Sequence, residues 1–449
     1  MSKLKQIASK YTRFQLGLSP QQNLFYGFLL YIFIGTLLLL LPFSQKTSVS
    51  LLDTIFTATS AVSTTGLVTI SVIDSYSFFG QFVIMALFQL GGIGYLTFTT
   101  FMILSTTRKI THWHQNILKT EFTLPVTIKV GDFIKSVIIF TLVMETLGAI
   151  LYFIAFKDDM TVGEALWNAL FHSVSAFCTA GFSLFSNGFV PYVGDGFVNF
   201  ITSMLAICGS LGFIVVTDIW LWLKRKSHAI SFTTKIIFIG FFALLTLGTL
   251  FFYFLEPSIN QLHGKERLYG AFFQAMTSMT TVGFNTVDFG VFVPSMLLIT
   301  IFLMYVGASP SGTAGGMKIT TLTAVYAIMK SRLRGSKKIT FLGKIIPFER
   351  LYIATSSFIF YTAIIFVGTF ILTLSEDFNY ERILFEVASA LGTVGISTGI
   401  TGDLSYIGKI AIIVLMFIGR LGVLTFGLAI WSRTQDSEEE VLTKDDIAV

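Results

Sequence analysis

The stretch TSMTTVGFNT, residues 277–286, is a polar, glycine-containing interruption in a chain otherwise crowded with phenylalanine, leucine and isoleucine. It recurs. TSAVSTTGLVT occupies 59–69, HSVSAFCTAGF 172–182 and ASALGTVGIST 388–398. The four copies centre on Gly66, Gly181, Gly283 and Gly395, separated by 115, 102 and 112 residues. Self-similarity at a near-constant spacing marks repeated structural units. The chain therefore reads as four similar quarters.

Of the 449 residues, 53% are hydrophobic and only 12% charged, and the mean hydropathy is +0.77. This places the chain among integral membrane proteins. Apolar stretches of membrane length run at about 24–42, 78–104, 130–156, 198–223, 236–255, 294–329, 352–374 and 406–431. A helix needs about 20 residues to cross a bilayer, so an all-helical protein with eight transmembrane helices is expected. The first apolar run follows Lys3, Lys5, Lys10 and Arg13. It is too long for a signal peptide and has no small-residue cleavage pattern after it, so it reads as a retained helix.

Basic residues in short loops set the orientation. Arg108, Lys109, Lys119 and Lys129 lie in one connection, Lys224, Arg225, Lys226 and Lys235 in the next, and Lys330, Arg332, Arg334, Lys337, Lys338, Lys344 and Arg350 in the third. The opposite connections carry Asp158, Asp159, Glu256, Glu376, Asp377 and Glu381. Both chain ends are expected in the cytoplasm. The formal charge of +5 comes from residues bordering apolar spans, with no recognition module around them, so no nucleic-acid role follows. Cys178 and Cys208 read as free side chains. His112, His114, His172, His228 and His263 are scattered, with no acid or cysteine at metal-ligand spacing. They read as solvent or interface residues, and no enzyme activity is assigned.

Each polar segment is preceded by a stretch too short to cross: 51–63, 164–177, 269–280 and 382–392. Ser50 with Asp53 and Thr161 with Glu164 have the spacing of a capping box. Such half-crossings leave nonhelical backbone at membrane depth, which is tolerable only beside protein or a watery cavity. Four of them close most naturally around one axis. Converging carbonyl ends favour a cation, and loop carbonyls replace its hydration shell. The filter positions on this reading are Thr64, Thr65 and Gly66, Thr179, Ala180 and Gly181, Thr281, Val282 and Gly283, and Thr393, Val394 and Gly395. Hydroxyls of these threonines and of Thr280 support the loops or contact the ion.

A second echo follows each loop: GGIG at 91–94, GSLG at 209–212, GASP at 307–310 and GRLG at 419–422. Small residues there suit close helix packing. Arg420 replaces Gly92, Ser210 and Ala308 of the other quarters. A charge so placed must face the bundle interior or a wet cavity, where it forms a gate-associated barrier to cations. GASPSGTAGGMKITT, residues 307–321, places Pro310 and four glycines inside a span. It predicts an interrupted helix in the third quarter alone, with Gly312, Thr313, Ala314, Gly315, Gly316, Met317 and Lys318 as a movable gate and Lys318 anchoring its lower end. Asp218 either reaches Arg420 or an inner vestibule, or snorkels to the interface.

The four loops, Arg420 and GASPSGTAGG together resemble the KtrB-type membrane subunits of bacterial Ktr potassium systems, within the Trk/Ktr/HKT family, over roughly residues 20–432. The resemblance implies four fused membrane-helix, pore-loop, membrane-helix repeats enclosing one potassium pathway, with potassium at the backbone carbonyls of the filter. It implies a homodimer, a KtrA-like cytoplasmic ring carrying ATP or ADP, stimulation by sodium, and a place in the bacterial inner or plasma membrane. No cofactor is expected in this chain. The expected divisions are 1–19 as a cytoplasmic amino-terminal segment, 20–107, 108–229, 230–338 and 339–432 as pore repeats, and 433–449 as a cytoplasmic tail. An alternating-access sodium/potassium symporter and a non-transporting membrane scaffold are the alternative classes; only the scaffold predicts no ion flux.

Overall fold

The computed structural model describes residues 18–94, Thr97, 130–224, 229–307 and 309–431. The expectations for the amino-terminal segment, the basic 108–129 connection, Arg225, Lys226, Ala308 and the acidic tail lie outside these residues. In chain order the main helices are α1 (Pro20–Leu39), α2 (Leu51–Val62), α3 (Phe78–Ile93), α4 (Val130–Phe156), α5 (Val162–Phe177), α6 (Gly196–Leu211), α7 (Phe213–Leu223), α8 (Phe232–Leu255), α9 (Lys265–Thr280) and α10 (Pro294–Tyr305). After the short strands β1 (Val306–Gly307) and β2 (Met317–Lys318) come α11 (Ile319–Leu333), the hairpin strands β3 (Thr340–Phe341) and β4 (Lys344–Ile345), α12 (Phe348–Ser375), α13 (Tyr380–Leu391), α14 (Tyr406–Leu421) and α15 (Val423–Trp431).

The long helices α1, α4, α8 and α12 form an apolar sheath. Phe33, Ile139, Phe254 and Phe366 on them are each more than 60% exposed, which water would penalise and lipid does not. Each of these helices contains a segment long and apolar enough to cross a membrane, and counting the bent pairs α6–α7 and α14–α15 as single spans brings the number to six. Of the remaining expected spans, 78–104 runs out of the described residues, and 294–329 is divided between α10 and α11.

Inside the sheath stand α2, α5, α9 and α13, of 12 to 16 residues. At about 1.5 Å per residue they are about 18–24 Å long, short of a hydrocarbon core of about 30 Å. Two of them, α2 and α5, start on a capping side chain; α9 and α13 start at Gly264 and Asn379 without one. Thr161 and Glu164 form the reciprocal capping box, whereas Ser50 caps the Asp53 N–H at 3.1 Å and Asp53 turns its carboxylate to Lys409 of α14 at 2.8 Å. Their last two turns are wholly buried.

The recurring small residues in α3, α6 and α14 have two distinct jobs. The first glycine of each motif lies against the carbonyl end of the short helix in its own quarter: Gly91 on the Val62 carbonyl, Gly209 on that of Phe177, Gly419 on that of Leu391. The last glycine ends the helix in the positive-φ region, at 86° for Gly94, 85° for Gly212 and 83° for Gly422. The chain then restarts at 90° from α6 into α7 and at 97° from α14 into α15. The interruption is therefore not peculiar to the third quarter, and the stretches 198–223 and 406–431 are not straight spans. Their glycines adopt a conformation that other residues resist. Among the described residues, the break of the third quarter is longer than those of the second and fourth. Val306 pairs in parallel with Met317 and Gly307 with Lys318, and the intervening loop occupies the interior.

A side chain at the first glycine has backbone in its way, so Gly209→Val is expected to destabilise the fold by about 1–3 kcal/mol through overpacking. Size-exclusion profile and melting temperature in detergent check this against Gly163→Ala, a position with nothing within 4 Å of an added Cβ, which is expected to leave both unchanged.

Candidate functional site

All four short helices end in the same way. The residue after the last turn is a threonine in the left-handed region, with φ of 52° at Thr64, 50° at Thr179, 55° at Thr281 and 47° at Thr393. The next residue then donates its N–H back across the turn: Thr65 to the Ser60 carbonyl at 2.8 Å, Ala180 to Ser175 at 2.8 Å, Val282 to Thr277 at 3.3 Å and Val394 to Ser389 at 2.8 Å. This is the Schellman arrangement, but with threonine where glycine is usual. A β-branched residue held there is strained, and strain of this kind concentrates at functional sites. The turn aims the following peptide and glycine inward.

There the four glycines meet. A Cβ on Gly66 would lie 2.5 Å from the Ala180 carbonyl oxygen and 3.0 Å from Gly181 Cα; one on Gly181, 2.8 Å from the Val282 oxygen; one on Gly283, 2.6 Å from the Val394 oxygen. Gly395 closes the circuit against the Thr65 carbonyl, with Gly66 Cα 3.1 Å from its Cβ position. The order 66, 181, 283, 395 and back to 66 is a ring of backbone. Behind it Leu67, Phe182, Phe284 and Ile396 are at most 2% exposed. Ser60 Oγ accepts the Gly66 N–H at 3.0 Å, while Ser175 Oγ and Thr277 Oγ1 donate to the carbonyls of Phe182 at 2.8 Å and Phe284 at 2.6 Å. Four helix C-termini, with their partial negative charge, converge on a site lined by carbonyls. Such a site suits a dehydrated monovalent cation.

The loop of the third quarter lies directly against this ring. Thr313 accepts a hydrogen bond from Thr179 Oγ1 at 3.1 Å and its hydroxyl donates to the Phe177 carbonyl at 3.2 Å, while its N–H reaches the Gly209 carbonyl at 3.1 Å. The Gly315 N–H donates to Thr281 Oγ1 at 3.0 Å, and Gly315 packs so tightly on Thr393 Oγ1 and the Gly392 carbonyl that no Cβ fits. Lys318 Nζ donates to the Ala314 carbonyl at 2.6 Å and the Gly315 carbonyl at 3.2 Å, so it ties the loop to itself. Gly312, Gly316 and Met317 complete the turn, with φ 68° at Gly316.

Arg420 joins the same assembly. Its Nη1 donates to Thr64 Oγ1 at 3.1 Å and to the Thr313 carbonyl at 2.7 Å, and its Nη2 to the carbonyls of Gly91 and Gly92. One guanidinium thus holds the first, third and fourth quarters together. The left-handed threonines Thr64, Thr179 and Thr281 are each hydrogen-bonded to Arg420 or to the loop; Thr393 abuts the loop with its hydroxyl buried and unpaired among the described residues.

Other residues sit elsewhere than their sequence suggests. Asp218 accepts the Ser231 N–H at 2.8 Å, at the start of α8. His172 is fully buried, not a solvent or interface residue: Nδ1 bonds the Asn168 carbonyl at 2.8 Å and Nε2 faces Ser183 Oγ at 3.1 Å. Cys178 and Cys208 are free thiols, and Cys178 contacts Gln89 Oε1 at 3.2 Å. Gln89 in turn donates to Glu145 of α4 at 3.0 Å. Glu145 and Glu386 of α13 are buried acids; the partner of Glu145 lies 56 residues away in sequence, whereas Glu386 is held by Ser397 and Thr401, just beyond its own ring glycine. Among the described residues no cluster of three metal-ligating side chains occurs.

The family model for the TrkH cation transport protein matches residues 18–439. The chain is 35% identical to the Ktr system potassium uptake protein B of Bacillus subtilis (strain 168), over 95% of each chain. It is 33% identical to the protein of the same name from Vibrio alginolyticus, over 88% of each. It is also 33% identical to the potassium/sodium uptake protein NtpJ of Enterococcus hirae, over 92% of this chain and 93% of that one. The crystal structure of the potassium transporter TrkH from Vibrio parahaemolyticus superposes with a TM-score of 0.70 at 22% identity, covering 90% of this chain and 84% of the other. That likeness establishes the fold.

Thr281→Val removes the acceptor of the Gly315 N–H while keeping size. It is expected to weaken the docking of the loop by about 1 kcal/mol, read as faster proteolysis or hydrogen exchange of residues 309–318 with an unchanged melting temperature.

Proposed function

Because this chain belongs to the TrkH family of cation transport proteins, we propose that it takes up potassium through a gated pore, as the membrane subunit of a Ktr-type system. The observation that carries this reading is the ring of Gly66, Gly181, Gly283 and Gly395, closed by backbone alone at the ends of four converging helices. Carbonyl oxygens of Thr64, Thr65, Thr179, Ala180, Thr281, Val282, Thr393 and Val394 supply the ion's coordination. The loop from Gly312 to Lys318 and Arg420 form the gate beneath them, supported by their contacts with the left-handed threonines.

The names of the B. subtilis and V. alginolyticus relatives support potassium as the ion, and that of NtpJ supports a role for sodium. The proposed architecture has eight membrane spans, two from each of the quarters 20–107, 108–229, 230–338 and 339–432. The basic loops, of which 330–350 is the best described, support cytoplasmic ends in a bacterial inner or plasma membrane. A second copy of the chain and a KtrA-like cytoplasmic ring that binds ATP or ADP are the proposed partners, and the word "system" in the relatives' names favours more than one component. A symporter with alternating access also uses broken helices, but four short helices ending on one ring favour a pore.

For a cation about 10 Å away at an effective dielectric of about 20, the charge of Arg420 contributes about 1.7 kcal/mol of repulsion, a factor above tenfold. Purified protein in liposomes is expected to carry potassium down its gradient, and Arg420→Gln to raise the flux per folded protein about tenfold. Strict sodium-coupled movement against a potassium gradient would overturn the pore, and an unchanged flux in Arg420→Gln would overturn the barrier role.

A further inference from the structure

Nine residues before each ring glycine the short helix carries a polar side chain, and it differs in every quarter: Thr57, His172, Gln274 and Glu386. All four are fully buried. In three quarters the side chain crosses to the strand that leaves the ring. His172 Nε2 faces Ser183 Oγ and accepts the Leu184 N–H at 3.3 Å. Gln274 Nε2 donates to the Val287 carbonyl at 2.5 Å. Glu386 accepts from Ser397 Oγ at 3.0 Å and from Thr401 Oγ1. Thr57 instead bonds the Asp53 carbonyl of its own helix at 2.8 Å.

The fourth brace is different in kind. Ser397, which it holds, is two residues beyond Gly395, accepts the Gly399 N–H at 2.9 Å and receives Thr401 Oγ1 at 2.9 Å. One carboxylate thereby fixes the backbone from 397 to 401. Its two oxygens take different hydroxyls, Oε2 that of Ser397 and Oε1 that of Thr401, so one side chain holds this quarter at two points. Carbonyls discriminate between cations by the number and field strength of the dipoles they hold in place. A loosened quarter adapts to either ion.

We propose that Glu386 is a selectivity-determining positioning residue: its buried carboxylate clamps the strand after Gly395 and so fixes the fourth quarter of the ring against sodium. Glu386 acts through Ser397 and Thr401 and does not itself touch the ion. The inference rests on the pore reading above and extends it to the discrimination between two monovalent cations.

The test uses the full-length protein in phosphatidylethanolamine and phosphatidylglycerol liposomes, with potassium and sodium fluxes measured on the same preparations. Glu386→Gln keeps the shape but replaces one acceptor by a donor. It is expected to lower the potassium-to-sodium flux ratio by about threefold or more, the scale of one lost hydrogen bond, at an unchanged melting temperature. Glu386→Asp is expected to fall between. Thr401→Val removes the other half of the clamp and is expected to match Glu386→Gln; it decides the question if the glutamine variant does not fold. A wild-type ratio in Glu386→Gln, or in Thr401→Val in that event, overturns the inference while leaving the pore standing. A wild-type protein that carries neither ion overturns both.

Discussion

Four strands of backbone approach one another here more closely than any side chain permits, and the rest of the molecule is arranged to make that approach possible. Glycine at 66, 181, 283 and 395 removes the steric obstacle, but it does not bring the strands together. The helix ends do. Each short helix must stop inside the protein, and its free carbonyls and N–H groups must be satisfied where no bulk water reaches. The left-handed threonines achieve this by folding the next N–H back onto the helix. They accept backbone strain in return for a fixed direction of exit. The long helices α1, α4, α8 and α12 then supply the apolar exterior, leaving the polar interior to the ring.

The same threonines connect the ring to what lies beneath it. Their hydroxyls meet Arg420, Thr313 and Gly315, so withdrawing the loop means exchanging these bonds for others at the ring itself. Arg420 adds a charge from the fourth quarter that is held by uncharged oxygens of the first and third. Its carbonyl partners Gly91 and Gly92 belong to the helix that lies on the end of α2. Movement of the guanidinium is thereby linked mechanically to the first quarter of the ring as well as to the loop.

Much of this was legible in the sequence because it is repeated. Four glycines at similar spacing, each after a stretch too short to cross, lead to the converging helices, and the density of Gly and Pro at 307–316 leads to the broken third helix. What was not legible has a physical reason in each case. GSLG and GRLG read equally as close-packing motifs and as helix breaks; only the backbone reveals that Gly212 and Gly422 lie at positive φ. Nothing in a threonine announces a left-handed conformation, which it normally avoids. Glu145, Glu386 and His172 are single polar residues in apolar surroundings, and what makes them acceptable inside is a partner supplied by a different helix or loop.

The ring has three junctions between quarters that follow one another in the chain, and one that does not. That last junction joins Gly395 to Thr65 and is sealed outside by Lys409 on Asp53. During synthesis the first quarter therefore waits, with its half-helix and strained turn lacking a neighbour on one side, until the fourth has been made. Arg420, which also bonds Thr64, is among the last of the membrane-embedded residues to emerge. Closing the circle is thus a late event of biogenesis, and a chain cut short before the fourth quarter retains only two of the four junctions and leaves the ring open.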